Sequence, residues 1–206
     1  MNWIGWTALG IGLTAATGAG LAAFGSARWQ ASTQAQMALL EAARVPTATG
    51  RYNVREIEGL PAPVQRYFRA VLKDGQPMIA AATFELAGTI NMSATGESWK
   101  PFTSWQRAVV NRPGFLWNGH VSMFPGLAAH VHDSYIAGTG RLHAAMLGLF
   151  TVADVQGGGE IARGELMRYF AEAIWYPRRY CPARACTGRL WTKVRRMPRW
   201  WMARST

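Results

Sequence analysis

The sequence predicts an α+β fold: an antiparallel, curved β-sheet with flanking helices, behind one N-terminal transmembrane helix. Three observations carry this reading. Residues 2–24 hold no charged side chain. From Met78 onward, short apolar-polar segments are punctuated by Gly and Pro, the pattern of an antiparallel sheet. Two segments, near 62–72 and 161–175, place apolar residues at helical spacing.

The uncharged segment N-W-I-G-W-T-A-L-G-I-G-L-T-A-A-T-G-A-G-L-A-A-F is long enough to cross a hydrocarbon core as a helix. Trp3 and Trp6 suit a membrane interface. Its Gly, Ala and Thr content makes insertion weaker than for a Leu-rich span. Ala8, Gly12, Ala16 and Gly20 form a small-residue stripe that fits either close helix approach or simple filler. Gly25-Ser26-Ala27 resembles a cleavage site, but no basic residue precedes the apolar run, so a signal anchor is expected over a cleaved signal peptide. The expected location is the cell membrane, single-pass. Arg28 follows the span and nothing basic precedes it, which by the positive-inside bias points the C-terminal part toward the cytoplasm, but a single arginine leaves the side undecided.

Residues 25–50 read as a helical linker, with Trp29, Met37, Leu40 and Ala43 spaced along one face. Pro46 to Gly50 breaks it. Pro61 and Pro63 then open a second helix, since Pro is favoured in a first turn, and Val64, Tyr67, Phe68, Val71 and Leu72 form its apolar face. Strands are expected at Ile79–Leu86, Thr89–Met92, Trp105–Val110, Phe115–Met123 and Leu127–Ile136. Arg141–Leu149 fits a strand or a helix. Gly157-Gly158-Gly159 is a loop. Ile161–Trp175 is a helix that buries Leu166, Tyr169, Phe170, Ala173 and Ile174 and stops near Pro177. Residues 51–177 thus read as a partial α+β domain.

The last 29 residues differ from the rest. They hold nine of the 22 Lys and Arg, both cysteines and no acid, leaving 13 basic and 11 acidic residues before them. The formal charge of +11 is therefore a property of the tail, and the body is close to neutral. Runs of Arg, Pro, Cys and Trp are what a GC-rich gene yields out of frame. Joining the last base of each codon to the next two forces Leu from Tyr180-Cys181, Asp from Trp191-Thr192, Val from Trp200-Trp201 and Gly from Met202-Ala203. The shifted tail can read as alternating apolar and polar residues ending in a Val-Val-Asp-Gly turn. Residues 178–206 are therefore expected to be a basic tail read out of frame, and no nucleic-acid partner is expected on that reading. The alternative is a genuine tail that binds nucleic acid or anionic lipid, with Trp191, Trp200 and Trp201 among its cations. The Cys-x4-Cys spacing of Cys181 and Cys186 supports neither a zinc site nor a redox motif.

Five blocks, in this order, carry a family resemblance: L-P-A-P-V-Q-R-Y-F-R (60–69), S-W-K-P-F-T-S-W-Q (98–106), P-G-F-L-W (113–117), D-S-Y-I-A-G-T-G (133–140) and R-Y-F-A-E-A-I-W-Y-P (168–177). Together they resemble a bacterial domain of unknown function, DUF 6544, over about residues 48–177. The resemblance implies further strands beyond the last block and no particular chemistry.

The candidate chemistry is sparse. His130-x-His132 followed by Asp133 could place two imidazoles on one strand face beside a carboxylate, the beginning of a metal site or of a metal-dependent hydrolase. The competing reading is a polar sheet face with Asp133 serving a turn. Arg168 and Glu172 are four apart on a helix and can pair. Glu165 and Glu172, about two turns apart, do not support acid-base work. Gly138-Thr139-Gly140 lacks the third Gly of a dinucleotide fingerprint, and there is no nucleophile elbow or Walker loop. The aromatics Trp99, Phe102, Trp105, Phe115 and Trp117 form either a core or the wall of a greasy cavity. Trp99, Trp105, Gln106, Trp117, Arg168 and Glu172 are accordingly the candidate ligand-binding residues. The expectation is a non-enzymatic binding module for an apolar or lipid-like small molecule or a membrane partner, without a cofactor.

Overall fold

A computed structural model describes residues 3–45, 51–77, 79–93 and 95–172. The basic tail and its frame lie outside the described residues, as does the end of the last helix beyond residue 172. The elements are helix α1 (Trp3–Ala42), a 3-10 turn (Val54–Ile57), helix α2 (Ala62–Val71), strands β1 (Ala81–Asn91), β2 (Trp99–Val109), β3 (Gly114–Phe124), β4 (Leu127–Ile136), β5 (Thr139–Met146) and β6 (Phe150–Gly157), and helix α3 (Glu160–Glu172). The six strands form one antiparallel sheet in chain order. The expected α+β class holds.

Each connection is a hairpin, and the last three of the five turn at residues in the left-handed region. Gly126 and Gly138 adopt φ of +76° and +93°, a region that side chains disfavour. The β5–β6 turn places Leu147 at φ +53° followed by Gly148 at +70°. The Gly88 interruption expected in β1 does not occur: residues 81–91 pair continuously with β2. Arg141–Leu149, open between strand and helix, resolves as β5 and its turn. Strand β6 was not anticipated. A bulge between Ala144 and Ala145 shifts its register and breaks the alternation that marks a strand.

Strand alternation divides the side chains between two faces. Phe102, Gln106, Phe115, Trp117, Val131 and Asp133 fall on one face, where α3 packs. Trp105, Leu116, Asn118, His130, His132 and Ser134 fall on the other, where α1 packs. The α3 side holds the larger core, with Phe115 and Tyr169 fully buried beside Ala82, Ala108 and Trp117. A fully buried Phe contributes roughly 1.5–3 kcal/mol, so this layer is a principal source of cohesion. The Tyr169 hydroxyl donates to the Val109 carbonyl at 2.9 Å. Helix α3 crosses β5 closely at Gly140, where a Cβ would meet the Ala162 backbone at 2.7 Å.

Helix α1 is one uninterrupted helix with two different surroundings. Residues 3–24 are almost wholly exposed, including Trp3, Trp6, Leu9, Ile11, Leu13, Leu21 and Phe24. The hydroxyls of Thr7, Thr14 and Thr17 donate to carbonyls one turn earlier, which satisfies them without solvent. By length and composition this helix is able to span a membrane. From Gly25 on, it lies across the sheet. Residues 25–42 are helical, as expected, and pack on the sheet: Trp29 and Leu40 are buried, and Leu40 packs with Val109 and Leu116. Gly25 is required at the first contact, because a Cβ there would overlap the Leu147 carbonyl and the Leu149 side chain.

Helix α2 starts with Pro63 in its first turn, as expected. Its apolar face is only partly used: Leu72 and Phe68 join Tyr52 and Ile57, while Val64, Tyr67 and Val71 are exposed.

Candidate functional site

The buried charges gather on the α3 face. Helical spacing puts Glu165, Arg168 and Glu172 on the side of α3 that meets the sheet. Strand alternation presents Asp133 from β4 and Gln106 from β2 on the same side. Arg168 donates from Nε to Glu172 Oε1 at 2.9 Å and from Nη1 to Asp133 Oδ2. Gln106 Nε2 donates to Glu172 Oε2 at 2.7 Å. The guanidinium also lies over Phe115 and Trp117, with its carbon 5.1 and 5.4 Å from the ring centroids. Burial works against the Arg168 charge, but Asp133 and Glu172 outweigh it and raise its pKa.

One guanidinium faces three carboxyls, and their mutual repulsion disfavours ionising all three. Burial, and then the neighbouring Asp133 carboxylate, push Glu165 up to about 8. At neutral pH Glu165 is therefore largely a neutral acid hydrogen-bonded to Asp133. Asp133 Oδ1 and Glu165 Oε2 lack conventional donors around them, which fits a shared proton between the two groups. Gln106 Oε1 and Ser104 Oγ, two residues apart on the same face of β2, are also buried without a partner among the described residues. Unpaired buried polar atoms are costly, and a carboxyl titrating near neutrality is concentrated at functional sites.

The candidate residues separate accordingly. Gln106, Trp117, Arg168 and Glu172 come together in this cluster. Trp105 lies on the opposite face, against the Leu40, Val109 and Leu116 group. Trp99 stands exposed at the start of β2. Glu165, previously set against Glu172 alone, pairs with Asp133, 32 positions away in sequence. No local motif signals that contact.

The metal set His130, His132 and Asp133 is not brought together. Adjacent strand residues point to opposite faces, so Asp133 turns to Arg168 while both imidazoles turn to α1. Among the described residues no group of three or more metal-ligating side chains converges. All four histidines nevertheless share the α1 face. His120 opposes His130 across β3–β4, and His132 opposes His143 across β4–β5. Trp29 stacks on His132 with centroids 3.9 Å apart and also reaches His130 and His143.

Hydrogen-bond direction fixes the state of His132. Thr33 Oγ1 donates to the Trp29 carbonyl at 2.9 Å, so it accepts from His132 Nε2–H at 2.7 Å. His132 Nδ1 then accepts from Gln36 Nε2 at 2.8 Å, and Gln36 Oε1 accepts from the Ser134 hydroxyl at 3.3 Å. Burial, followed by the His143, Arg141 and His130 charges, pushes His132 down to about 3. Its two nitrogens are already used to seat α1. His132 is a buried structural imidazole, not an acid-base group at neutral pH.

Comparison with family models finds a domain without assigned chemistry. Residues 58–187 match the family of unknown function DUF6920. The chain belongs to that family. The resemblance to DUF 6544 is thereby supported as membership of an uncharacterised domain family, and not for that number. No curated protein and no solved structure matches the chain. The DUF6920 match contains the whole Gln106–Asp133–Glu165–Arg168–Glu172 cluster. It begins after α1, so Trp29, Thr33 and Gln36 lie outside it.

Proposed function

We propose that this DUF6920 protein is a non-enzymatic, membrane-tethered module that binds an amphipathic molecule on the α3 face of its sheet. The observation that carries the reading is the buried cluster around Arg168, with Gln106 Oε1 and Ser104 Oγ left unpartnered beside Phe102 and Trp117. Two carboxylates against one guanidinium leave the cluster negative even with Glu165 neutral. Such a site favours a head group that donates hydrogen bonds and is uncharged or cationic. It disfavours a fatty-acid carboxylate. The aromatic surface of Phe84, Phe102 and Trp117 suits the apolar part of the same molecule. The exposed apolar half of α1 supports the tether, and the docking of Gly25 and Trp29 into the sheet favours an anchor that is kept over one that is cut. The separation of His130 and His132 from Asp133 speaks against the hydrolase alternative.

The full chain held in amphipol is titrated with monodecanoin, decylamine and decanoate, and heat is read by calorimetry. Monodecanoin and decylamine bind and decanoate does not. Gln106→Leu removes one hydrogen bond to the head group and weakens both by up to about tenfold. Equal binding of decanoate, or no binding of any of the three, overturns the reading.

A further inference from the structure

We propose that the three hairpin tips at one end of the sheet dip into the lipid headgroup layer beside α1, so that the module rests on the bilayer rather than hanging free of it. This rests on the reading of α1 as a membrane span. In a meander, alternate turns lie at opposite ends. The β1–β2, β3–β4 and β5–β6 turns therefore share one end, and the β2–β3 and β4–β5 turns share the other.

Helix α1 identifies which end faces the lipid. It runs from Leu40, beside Gly114 at the start of β3, to Gly25, against Leu147 and Leu149 in the β5–β6 turn. A cleft of about 280 Å³ is lined by Ala22 and Ser26 of the helix and by Phe124, Leu127 and Leu147 of the turns. Residues 3–24 thus project past these tips.

The two ends differ in chemistry. The end facing the exposed half of α1 carries Met92, Trp99, Phe124 and Phe150, which are 46, 42, 64 and 68% exposed. Lys100 sits with its ammonium 5.1 Å from the Phe124 ring centroid, poised for an anionic headgroup. Glu97 is the single acid in these three turns. The far end exposes Asn111, Arg112, Ala137 and Gly138. Exposed apolar residues occur elsewhere on the body and singly are ordinary, but among the hairpin turns the large ones are confined to the end from which the apolar helix emerges. The arrangement also completes an aromatic belt. Helix α1 offers Trp3 and Trp6 at its outer end and only Phe24 where it meets the sheet, and the tips supply the aromatic side chains at that second interface.

The test places single cysteines at Phe124→Cys, Phe150→Cys, Arg112→Cys and Gly12→Cys in the full chain carrying Cys181→Ser and Cys186→Ser. Each is labelled with an environment-sensitive fluorophore and reconstituted in vesicles of phosphatidylethanolamine in excess over phosphatidylglycerol. Quenching by nitroxide lipids is then measured. The position 124 and 150 labels are expected to be blue-shifted and strongly quenched by a nitroxide near the headgroup. The position 112 label remains unquenched, because it sits at the other end of an eleven-residue strand about 36 Å long. The position 12 label is quenched by a nitroxide deep in the acyl chains. Quenching at 12 without quenching at 124 and 150 overturns the docking and leaves the span intact. No quenching at 12 overturns both. Shielding of 124 and 150 that rises with protein density but ignores the nitroxide identifies a second copy as the occupant and also overturns it.

Discussion

Acidification tests the seat of α1, because His132 is held neutral by a network with no room for a second proton. Its pKa falls from an ordinary value of 6.5 to about 3 in the folded protein. For a histidine with a depressed folded pKa, the unfolded chain takes up the proton first. Stability is then full above 6.5 and declines as pH falls from 6.5 toward 3. At 1.36 kcal/mol per pH unit, the shift sets a ceiling of about 5 kcal/mol. By pH 4.5 some two of those units have been crossed, and local relaxation reduces the loss to about 2 kcal/mol. Relaxation has an evident route: Gln36 can turn its amide and offer Oε1 to a protonated Nδ1, at the cost of its bond from Ser134. The assay is urea unfolding of the full chain in nonionic micelles across this pH range, read by tryptophan fluorescence. The quantity of interest is the slope of wild type minus that of His132→Gln, since other groups titrate in the same interval. His130 and His143 are depressed as well, in each case first by burial, and stay in both proteins. Equal slopes, or an NMR titration of His132 near 6.5 with a protonated Nδ1, would refute the reasoning.

Glu165 acts with the opposite sign. Its folded pKa is raised to about 8, so its contribution is full below the ordinary carboxyl value of 4.5 and is lost as pH rises through 8. Because the group is partly exposed, the loss is discounted to about 2 kcal/mol, and Glu165→Gln should flatten the stability profile over that interval in the same urea assay. Gly140→Ala forces a Cβ to 2.7 Å from the Ala162 backbone and should lower stability by about 1–3 kcal/mol, seen as a lower melting temperature. A substitution at the open Gly59 serves as the control.

The sheet was readable because its turns are written in Gly and Pro. Leu127–Ile136 emerged with the boundaries expected, closed by Pro125-Gly126 before it and Gly138 after it. Strand β6 escaped because it lies at the sheet edge with Phe150, Val152 and Val155 exposed, and the bulge opposite it removes the clean alternation. The docked half of α1 was half legible. Trp29 and Leu40 stood out as apolar, whereas Thr33 and Gln36, equally buried, looked like solvent-facing positions. Their burial depends on His132 and Ser134, about a hundred residues away. The site divided in the same manner. Arg168 with Glu172 follows from a four-residue spacing, but the third partner, Asp133, arrives through the β3–β4 register. The proton between Asp133 and Glu165 depends on burial, which no spacing encodes.

The continuity of α1 has a mechanical consequence. At about 1.5 Å per residue, its 40 residues make a rod about 60 Å long. No proline interrupts it, and the Gly25-Ser26 pair at the boundary between the exposed half and the half laid over the sheet leaves the helix continuous. Gly25, the natural place for a swivel, is wedged against Leu147. A lever of this kind turns as one body. Any inclination imposed on its outer arm reaches Trp29 and the imidazole layer as torque, so the sheet is obliged to follow the rod.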